Sequence, residues 1–155
     1  MNIRAYKSAD CTELAKLFFD TVHTVNAKDY TKPQLDVWAS GNVDIIKWDK
    51  SFLQSNTLVA EDNNAIVGFG DMDNSGYLDR LFVHKDYQGK GIATAIVNAL
   101  EKQAAAQGIF LFTTHASITA VPFFKKHGYY IIRDNHVVRN GIELKNFIME
   151  KHITQ

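Results

Sequence analysis

The stretch that decides the fold runs from Tyr77 to Gly108 and reads YLDRLFVHKDYQGKGIATAIVNALEKQAAAQG. Its first part, Tyr77–Val83, is rich in aromatic and branched apolar residues, which favours a largely buried strand. Its last part, from Thr94 to Gln107, consists of strong helix formers and precedes Gly108, a typical helix C-cap. We therefore predict a strand, a glycine-rich turn and a long helix in direct succession.

The glycine-rich turn between Gln88 and Ala93 is a candidate phosphate site. A helix N-terminus presents free N–H groups and the positive end of the helix dipole, which suit an anion. Gly89 and Gly91 remove side chains where a pyrophosphate would approach the backbone, and the Thr94 hydroxyl supplies a further donor. A bare pair of glycines also fits an ordinary turn into a helix.

Two common phosphate motifs do not match this turn. A P-loop requires the pattern G-x-x-x-x-G-K-[ST], which this sequence lacks. A dinucleotide fingerprint requires a third glycine where this chain has Thr94, and an acidic residue about twenty residues later. These mismatches argue against a nucleotide-binding protein.

A different motif does match. Gln88, Gly91 and Ala93 follow a strand that ends Leu-Phe-Val, and this pattern resembles the coenzyme A motif of the GNAT N-acetyltransferases. A second segment, Ala120–Tyr129, reads AVPFFKKHGY and is similar to the A-x-x-F-Y-x-x-x-G-F/Y segment of the same family. Two motifs in the expected order make a chance resemblance improbable.

The predicted strands and helices agree with the fold that this resemblance implies. We expect an α/β protein with the GNAT acyltransferase fold: a central mixed, mostly antiparallel sheet with helices on both faces, forming a single domain over residues 1–155. In sequence order the remaining predicted strands are 2–7, 57–60, 65–73, 109–114, 129–133 and 143–151. The remaining predicted helices are 10–26, a short piece within 28–40, 44–55 and 119–127.

Composition excludes several classes of protein. The chain has 46% hydrophobic residues, enough for a full core, and its 17 basic and 17 acidic residues cancel. The charge gives no reason to expect nucleic acid or an anionic membrane as a partner. A single cysteine, Cys11, excludes an internal disulfide, and no apolar run is long enough for a membrane span. We expect a cytoplasmic protein without a metal, for which a homodimer is compatible with the resemblance.

The resemblance implies a function and a cofactor site. It predicts an acetyl-CoA-dependent N-acetyltransferase that transfers acetyl directly to a primary amine of a small molecule or protein. The arm of CoA is expected to enter a gap beside the strand Tyr77–Val83 and pair with Phe82 and Val83. The residues implied for cofactor binding are Phe82, Val83, Gln88, Gly89, Lys90, Gly91, Ala93, Thr94, Ser117 and Phe124.

The catalytic groups are predicted to lie on the strand Tyr77–Val83. The backbone N–H of Val83 is the expected oxyanion donor, and Asp79 is the first candidate for the base that deprotonates the amine. Period-two alternation predicts that Asp79 shares a face with Val83. A solvated carboxylate at the start of a strand is an equally fitting description of Asp79. Asp71, Asp73 or a water chain are the alternatives for the base.

The sequence departs from the family at the usual proton donor. Many members carry a tyrosine where this chain has Phe124, so the leaving thiolate must take its proton from water or another residue, or needs none. Tyr129 is better interpreted as a core or sheet residue. The departure supports an alternative function, a non-catalytic CoA-binding module.

The acceptor pocket is predicted to be aromatic and not strongly acidic, which argues against a polycationic acceptor. The residues expected to line it are Phe19, His23, Tyr30, Trp38 and Trp48.

Overall fold

The computed structural model describes residues 1–154, which form one seven-stranded sheet with five α-helices. Gln155, the last residue of the predicted domain, lies outside the described residues. In chain order the elements are β1 (Asn2–Ala5), α1 (Cys11–Thr24), α2 (Lys32–Trp38), α3 (Ile45–Gln54), β2 (Asn56–Asp62), β3 (Ala65–Met72), β4 (Tyr77–Val83), α4 (Ile92–Ala106), β5 (Leu111–Ser117), α5 (Val121–Lys126), β6 (Tyr130–Arg139) and β7 (Ile142–His152).

The sheet has the strand order β1-β2-β3-β4-β5-β7-β6. Neighbouring strands are antiparallel except for β4 and β5, which are parallel. The prediction of a mixed, mostly antiparallel sheet is therefore confirmed. No helix in residues 1–154 combines the length and the apolar character that a membrane span requires.

Helices cover both faces of the sheet, as predicted. On one face α4 packs against β3, where Gly68 and Gly70 make room for it: a Cβ on Gly70 would lie 2.9 Å from the Ile96 side chain. On the other face α1 and α3 pack over Val59 and Phe69 of the sheet. This close approach of α4 to the sheet fixes where its N-terminus lies beside β4.

The strands β5 and β6 differ most in extent from the prediction. The strand β5 begins later because the chain is still closing α4: Gly108 has a positive φ of 84°, and Ile109 N–H donates to the Ala104 carbonyl at 3.1 Å. It then continues to Ser117 because β7 pairs with it over its whole length. The strand β6 continues to Arg139 for the same reason.

The strands β4 and β5 separate soon after they begin. They pair only at Tyr77 with Thr113 and at Leu78 with Thr114. Beyond Leu78 the side of β4 that faces β5 has no strand partner within residues 1–154, so a gap opens in the centre of the sheet. This is the gap that the resemblance predicted.

Candidate active site

A cavity of about 810 Å³ lies where β4 and β5 separate. Residues from all five helices and from β4 and β5 line it, together with the end of the β6–β7 hairpin. Seven of the predicted site residues contribute to its wall: Asp79, Phe82, Val83, Gln88, Ala93, Ser117 and Phe124. The cavity is large enough for both the reacting end of a thioester and a small acceptor.

The turn before α4 has the geometry predicted for a phosphate site. Gly89 and Gly91 have φ of 74° and 79°, and within residues 1–154 a Cβ built on either one meets no heavy atom of a residue beyond its chain neighbours within 4 Å. Gly91 is the N-cap of α4, and no side chain caps the helix N-terminus. The first-turn N–H groups are therefore open to an anion.

The positive φ corrects one part of the sequence interpretation. The sequence indicates that these glycines allow close approach of a ligand, but a left-handed backbone also disfavours any residue with a Cβ. Gly91 is therefore needed for the conformation of the turn as well as for close approach of a ligand.

The two polar side chains of the turn have neighbours of their own. Lys90 Nζ lies 5.1 Å from the centre of the Tyr87 ring, and its residue is exposed. Thr94 Oγ1 lies 3.0 Å from Nε2 of His127, whose Nδ1 lies 2.9 Å from the Phe123 carbonyl oxygen. Because that carbonyl accepts only, Nδ1 carries a proton, and in the neutral ring Nε2 accepts from Thr94. With neutral His127, Thr94 offers a ligand its oxygen lone pairs and not the predicted donor.

The backbone of Val83 faces the gap. The His84 N–H donates to the Val67 carbonyl of β3 at 2.8 Å. Backbone groups alternate in direction along a strand, so those of Phe82 also point towards β3, where Phe82 is paired with Phe69. The Val83 N–H consequently points away from β3, towards the cavity. Phe82 offers the cavity its ring rather than its backbone groups.

Two side chains hold the end of β4 in place. The Val83 carbonyl accepts from the Thr21 hydroxyl at 3.0 Å and from the Gln88 side-chain amide at 2.7 Å. The Gln88 side-chain amide therefore holds the end of β4 in place. The backbone of Gln88 is the part that remains available to bind a phosphate. Sequence reasoning missed Thr21, which looks like any polar residue within an amphipathic helix.

A β-bulge places Asp79 at the cavity. The strand β3 pairs Asp71 with Arg80 and Met72 with Leu78, which leaves Asp79 without a partner. A bulge re-aims side chains, so the strict alternation behind the predicted face of Asp79 is interrupted at that residue. The Asp79 side chain is 49% exposed and lines the cavity.

Arg80 connects Asp79 to a second, buried carboxylate. Its Nη2 lies 3.4 Å from Asp79 Oδ2 and 3.2 Å from Asp71 Oδ2. Asp71 also accepts from the Arg80 backbone N–H at 3.0 Å. Burial raises the pKa of Asp71 to about 7, although the Arg80 charge acts to lower it. Sequence reasoning missed Arg80, because a charged residue within a strand usually indicates a solvated position.

Asp73 has a structural role. Its Oδ1 accepts from the N–H and the hydroxyl of Ser75 and from the N–H of Tyr77, which closes the β3–β4 turn. Burial acts to raise the pKa of Asp73, but these hydrogen bonds outweigh it and hold the pKa below its ordinary value. Asp73 does not line the cavity, so we do not retain it as a candidate base.

The structure supports the interpretation of Phe124 and Tyr129 as apolar contacts. Phe124 is buried, lines the cavity and packs against the Tyr129 ring at 5.1 Å. The Tyr129 hydroxyl donates to buried Glu101 at 2.8 Å, away from the cavity. Neither ring therefore offers a proton to a leaving thiolate.

The Ser117 hydroxyl lies at the cavity and is able to donate a hydrogen bond. Its Oγ accepts from Ala120 N–H at 3.1 Å and from the Asn26 amide at 3.4 Å. No acceptor for the Ser117 proton lies within residues 1–154. Asn26 is buried and lines the cavity, and sequence reasoning did not single it out.

Three of the five predicted acceptor residues line the cavity: Tyr30, Trp38 and Trp48. The prediction is wrong for Phe19 and His23. Their rings contact each other in a tilted arrangement with centroids 4.2 Å apart, and His23 Nε2 lies 2.7 Å from the Ala39 carbonyl oxygen, which holds the pair outside the cavity. Residues 1–154 contain no group of three or more side chains placed to hold a metal ion.

Comparison with known proteins agrees with this geometry. The acetyltransferase (GNAT) domain model matches residues 26–151. The chain is 31% identical over 149 residues to the uncharacterized N-acetyltransferase YafP of Escherichia coli K12, covering 96% of this chain and 94% of that protein. A crystal structure of a GCN5-related N-acetyltransferase from Rhodopseudomonas palustris, also named aminotransferase class-II, is 34% identical with a TM-score of 0.94 and covers 98% of this chain and 95% of that chain.

A more distant structure shows the same fold. The PaiA N-acetyltransferase of Thermoplasma acidophilum, solved in complex with coenzyme A, has a TM-score of 0.82 at 19% identity and covers 98% of each chain. The family model and the E. coli relative both extend over most of the sequence. The chain therefore belongs to the GNAT acetyltransferase family.

Proposed function

We propose that this protein is an acetyl-CoA-dependent N-acetyltransferase that transfers acetyl directly to a primary amine. One observation carries the proposal: the gap beside β4 leads to a helix N-terminus with two left-handed glycines, Gly89 and Gly91, that leave open space. This combination accommodates a thioester arm at one end and a pyrophosphate at the other. The fold neighbour solved with coenzyme A supports this choice of cofactor.

The proposed cofactor contacts follow the cavity from α4 to β5. The backbone of Gln88–Thr94 binds the pyrophosphate, with Lys90 as an additional charge. The Val83 N–H meets the thioester carbonyl, and Phe82 and Phe124 bound the acyl and thiol groups with their rings. The Ser117 hydroxyl donates near the sulfur.

The proposed reaction requires a neutral amine beside the thioester. Asp79 accepts a proton from the entering ammonium, directly or through water, because it is the one carboxylate that lines the cavity within residues 1–154. The amine nitrogen then attacks the carbonyl carbon, and the Val83 N–H donates to the oxyanion that develops. The C–S bond breaks as the nitrogen loses its second proton, and that proton reaches the departing thiolate through water or through the Ser117 hydroxyl, which donates one proton and regains another.

A second candidate function rests on Phe124. A chain without a proton donor beside the sulfur also fits a CoA-binding module that does not catalyse transfer. The half-exposed Asp79 does not favour that alternative, because a carboxylate left open at the end of the cavity is suited to receive a proton from a substrate.

A thiol-release assay over a panel of primary amines tests the proposal. The native chain should release CoA from acetyl-CoA in the presence of at least one amine, and mass spectrometry should find that amine acetylated. Binding of acetyl-CoA without release for any amine would favour the non-catalytic module. No binding of acetyl-CoA or CoA would overturn both functions.

A further inference from the structure

The Arg80 guanidinium lies in a buried position beside the cavity. Its side chain is 14% exposed, and its central carbon lies 5.0 Å from the Trp48 ring and 4.3 Å from the Phe52 ring. Two aromatic faces therefore hold the charge in place. The guanidinium can change partners without leaving this position.

The hydrogen bonds of Arg80 are unequally shared among its nitrogens. Nη2 carries two protons, yet three acceptors lie near it: Ser51 Oγ at 2.8 Å, Asp71 Oδ2 at 3.2 Å and Asp79 Oδ2 at 3.4 Å. Meanwhile Nε is buried, and no acceptor within residues 1–154 bonds to it. Three acceptors compete for two protons, so at least one of them is always weakly bound.

We propose that Asp71 is a positioning residue that controls whether Asp79 is bound to Arg80 or free to act in the cavity. The inference rests on the proposed function, in which Asp79 receives the proton of the amine. When Asp71 is ionised, its Oδ2 accepts the Arg80 Nη2 hydrogen bond, and Asp79 is released. When Asp71 is protonated, Asp79 is the one remaining carboxylate within residues 1–154 that lies close enough to compensate the Arg80 charge.

When both carboxylates are charged, the difference in their burial determines which one binds Arg80 more strongly. The Asp71 side chain is 1% exposed and the Asp79 side chain is 49% exposed. An ion pair away from water is screened less than one at the surface, so Asp71 binds Arg80 more strongly than Asp79 does. The Arg80 backbone N–H, which donates to the other oxygen of Asp71 at 3.0 Å, fixes the carboxyl group for this contact.

The change falls within the physiological range of pH. Burial raises the pKa of Asp71 to about 7, with further upward contributions from the charges of Asp79 and Asp73 and a downward one from Arg80. Tyr77 of β4 also interacts with the three carboxylates. The strand β2 places uncharged Thr57 opposite Asp71, and α3 presents the uncharged Trp48, Ser51 and Phe52 to Arg80. Release of Asp79 is therefore expected as the pH rises through about 7.

Carbon-detected NMR of the native protein labelled with ¹³C-aspartate tests the inference without any substrate. The Asp79 carboxyl signal, assigned by its loss in Asp79→Asn, should shift at the midpoint at which the Asp71 signal titrates. Asp71→Asn should remove that shift, and the surface variant Asp86→Asn should keep it. An Asp79 signal that does not respond at the Asp71 midpoint in the native protein would overturn the inference, whether or not the variant folds.

Activity supplies a second readout once the amine panel has identified an acceptor. An asparagine side chain cannot ionise, so Asp71→Asn should lower kcat roughly tenfold at pH 8 with little change in the KM for acetyl-CoA. The native increase of kcat through pH 7 should flatten in the variant. An unchanged pH profile in folded Asp71→Asn would contradict the inference. Absence of transfer by the native chain would sink the proposed function but leave the NMR test intact.

Discussion

Asp79 and Phe124 lie in the same cavity but differ in what each can contribute to the reaction. Phe124 has no hydroxyl, so it offers no proton to a leaving thiolate. Asp79 has no partner on β3, and its Oδ2 lies 3.4 Å from the Arg80 guanidinium. The chemistry of each residue is therefore best separated by single substitutions.

Asp79→Asn should lower kcat roughly 100-fold or more and leave acetyl-CoA affinity almost unchanged, because the amide cannot take the proton of the amine. Steady-state kinetics with the best amine from the panel, together with calorimetry for acetyl-CoA, measure both quantities. The matched control is Asp36→Asn, which makes the same change on the exposed face of α2. Full activity with an unaltered pH profile would assign the role to Asp71 or to water.

Phe124→Tyr should leave acetyl-CoA affinity nearly unchanged and keep turnover level or raise it up to about tenfold. The reason is that a CoA thiolate is a good leaving group, comparable to a cysteine thiol with a pKa of about 8.5, so a proton donor assists it without being essential. Parallel kinetics of the native chain and the variant measure the effect. Thiol release that appears only in the variant would favour the CoA-binding module.

Asp71 should also make folding stability depend on pH. An aspartate in the unfolded chain loses its proton near 3.8, whereas folded Asp71 keeps its proton up to about 7. The folded state thus binds the extra proton between these values, and the contribution of Asp71 to stability falls as the pH rises through that window. The full effect is about 4 kcal/mol.

Asp71→Asn removes this dependence because its side chain does not titrate. Relative to the native protein, the variant should gain free energy of unfolding between pH 4.5 and pH 7.5, as measured by urea denaturation. The exposed change Asp86→Asn should keep the native slope. If the free energy of unfolding varied with pH in the same way in the native protein and in Asp71→Asn, Asp71 would not be the source of the pH dependence.

At the scale of elements, local patterns predicted what local interactions determine. The long helix α4 and the bounds of β4 follow from residue type, and both are confirmed. The strand β6 does not: the polar run Asp134–His136 indicates a loop, yet β7 pairs with β6 from Tyr130 to Arg139. Partner strands override local propensity. The turn before α4 was also predictable from a local pattern, because glycine spacing is a local property.

Gly91→Ala and Gly91→Glu separate the two roles of this glycine. Both place a Cβ at a φ of 79°, so both should lose roughly 1–2 kcal/mol of stability from backbone strain. Glutamate adds a charged side chain where the pyrophosphate is expected, so it should abolish CoA binding that alanine only weakens. Calorimetry with CoA and thermal unfolding measure the two effects. Equal affinity of folded Gly91→Glu and the native chain would contradict the phosphate assignment.

The molecule as a whole has a formal net charge of zero, but its charges are unevenly placed around the cavity. Among residues 1–154, three cations line it, Lys47, Arg80 and Arg139, against one carboxylate, Asp79. Sequence composition could not show this asymmetry, because it arises only when α3 and the β6–β7 hairpin meet at the cavity. The excess of positive charge bears directly on the acceptor.

Polycationic amines should be poor acceptors for this protein. The second and third ammonium groups of spermidine would meet Lys47 and Arg139, whereas a monoamine with an apolar body meets the rings of Trp38 and Trp48. Phenethylamine should therefore show the higher kcat/KM at physiological ionic strength, where the control below is also measured. The double variant Lys47→Glu, Arg139→Glu should raise kcat/KM for spermidine at least roughly tenfold and change that for phenethylamine little.

A charge-matched control separates the cavity from the overall charge. Lys16→Glu with Lys102→Glu changes the net charge equally on exposed helix faces, where Lys16 pairs with Asp20 of its own helix. This variant should leave the preference of the native chain unaltered, because charges farther apart than about 8 Å are largely screened at physiological salt. A native chain that acetylates spermidine faster than every monoamine would show that the lining cations do not select the acceptor. In that case the exposed carboxylate of Asp79 would be the dominant charge at the site.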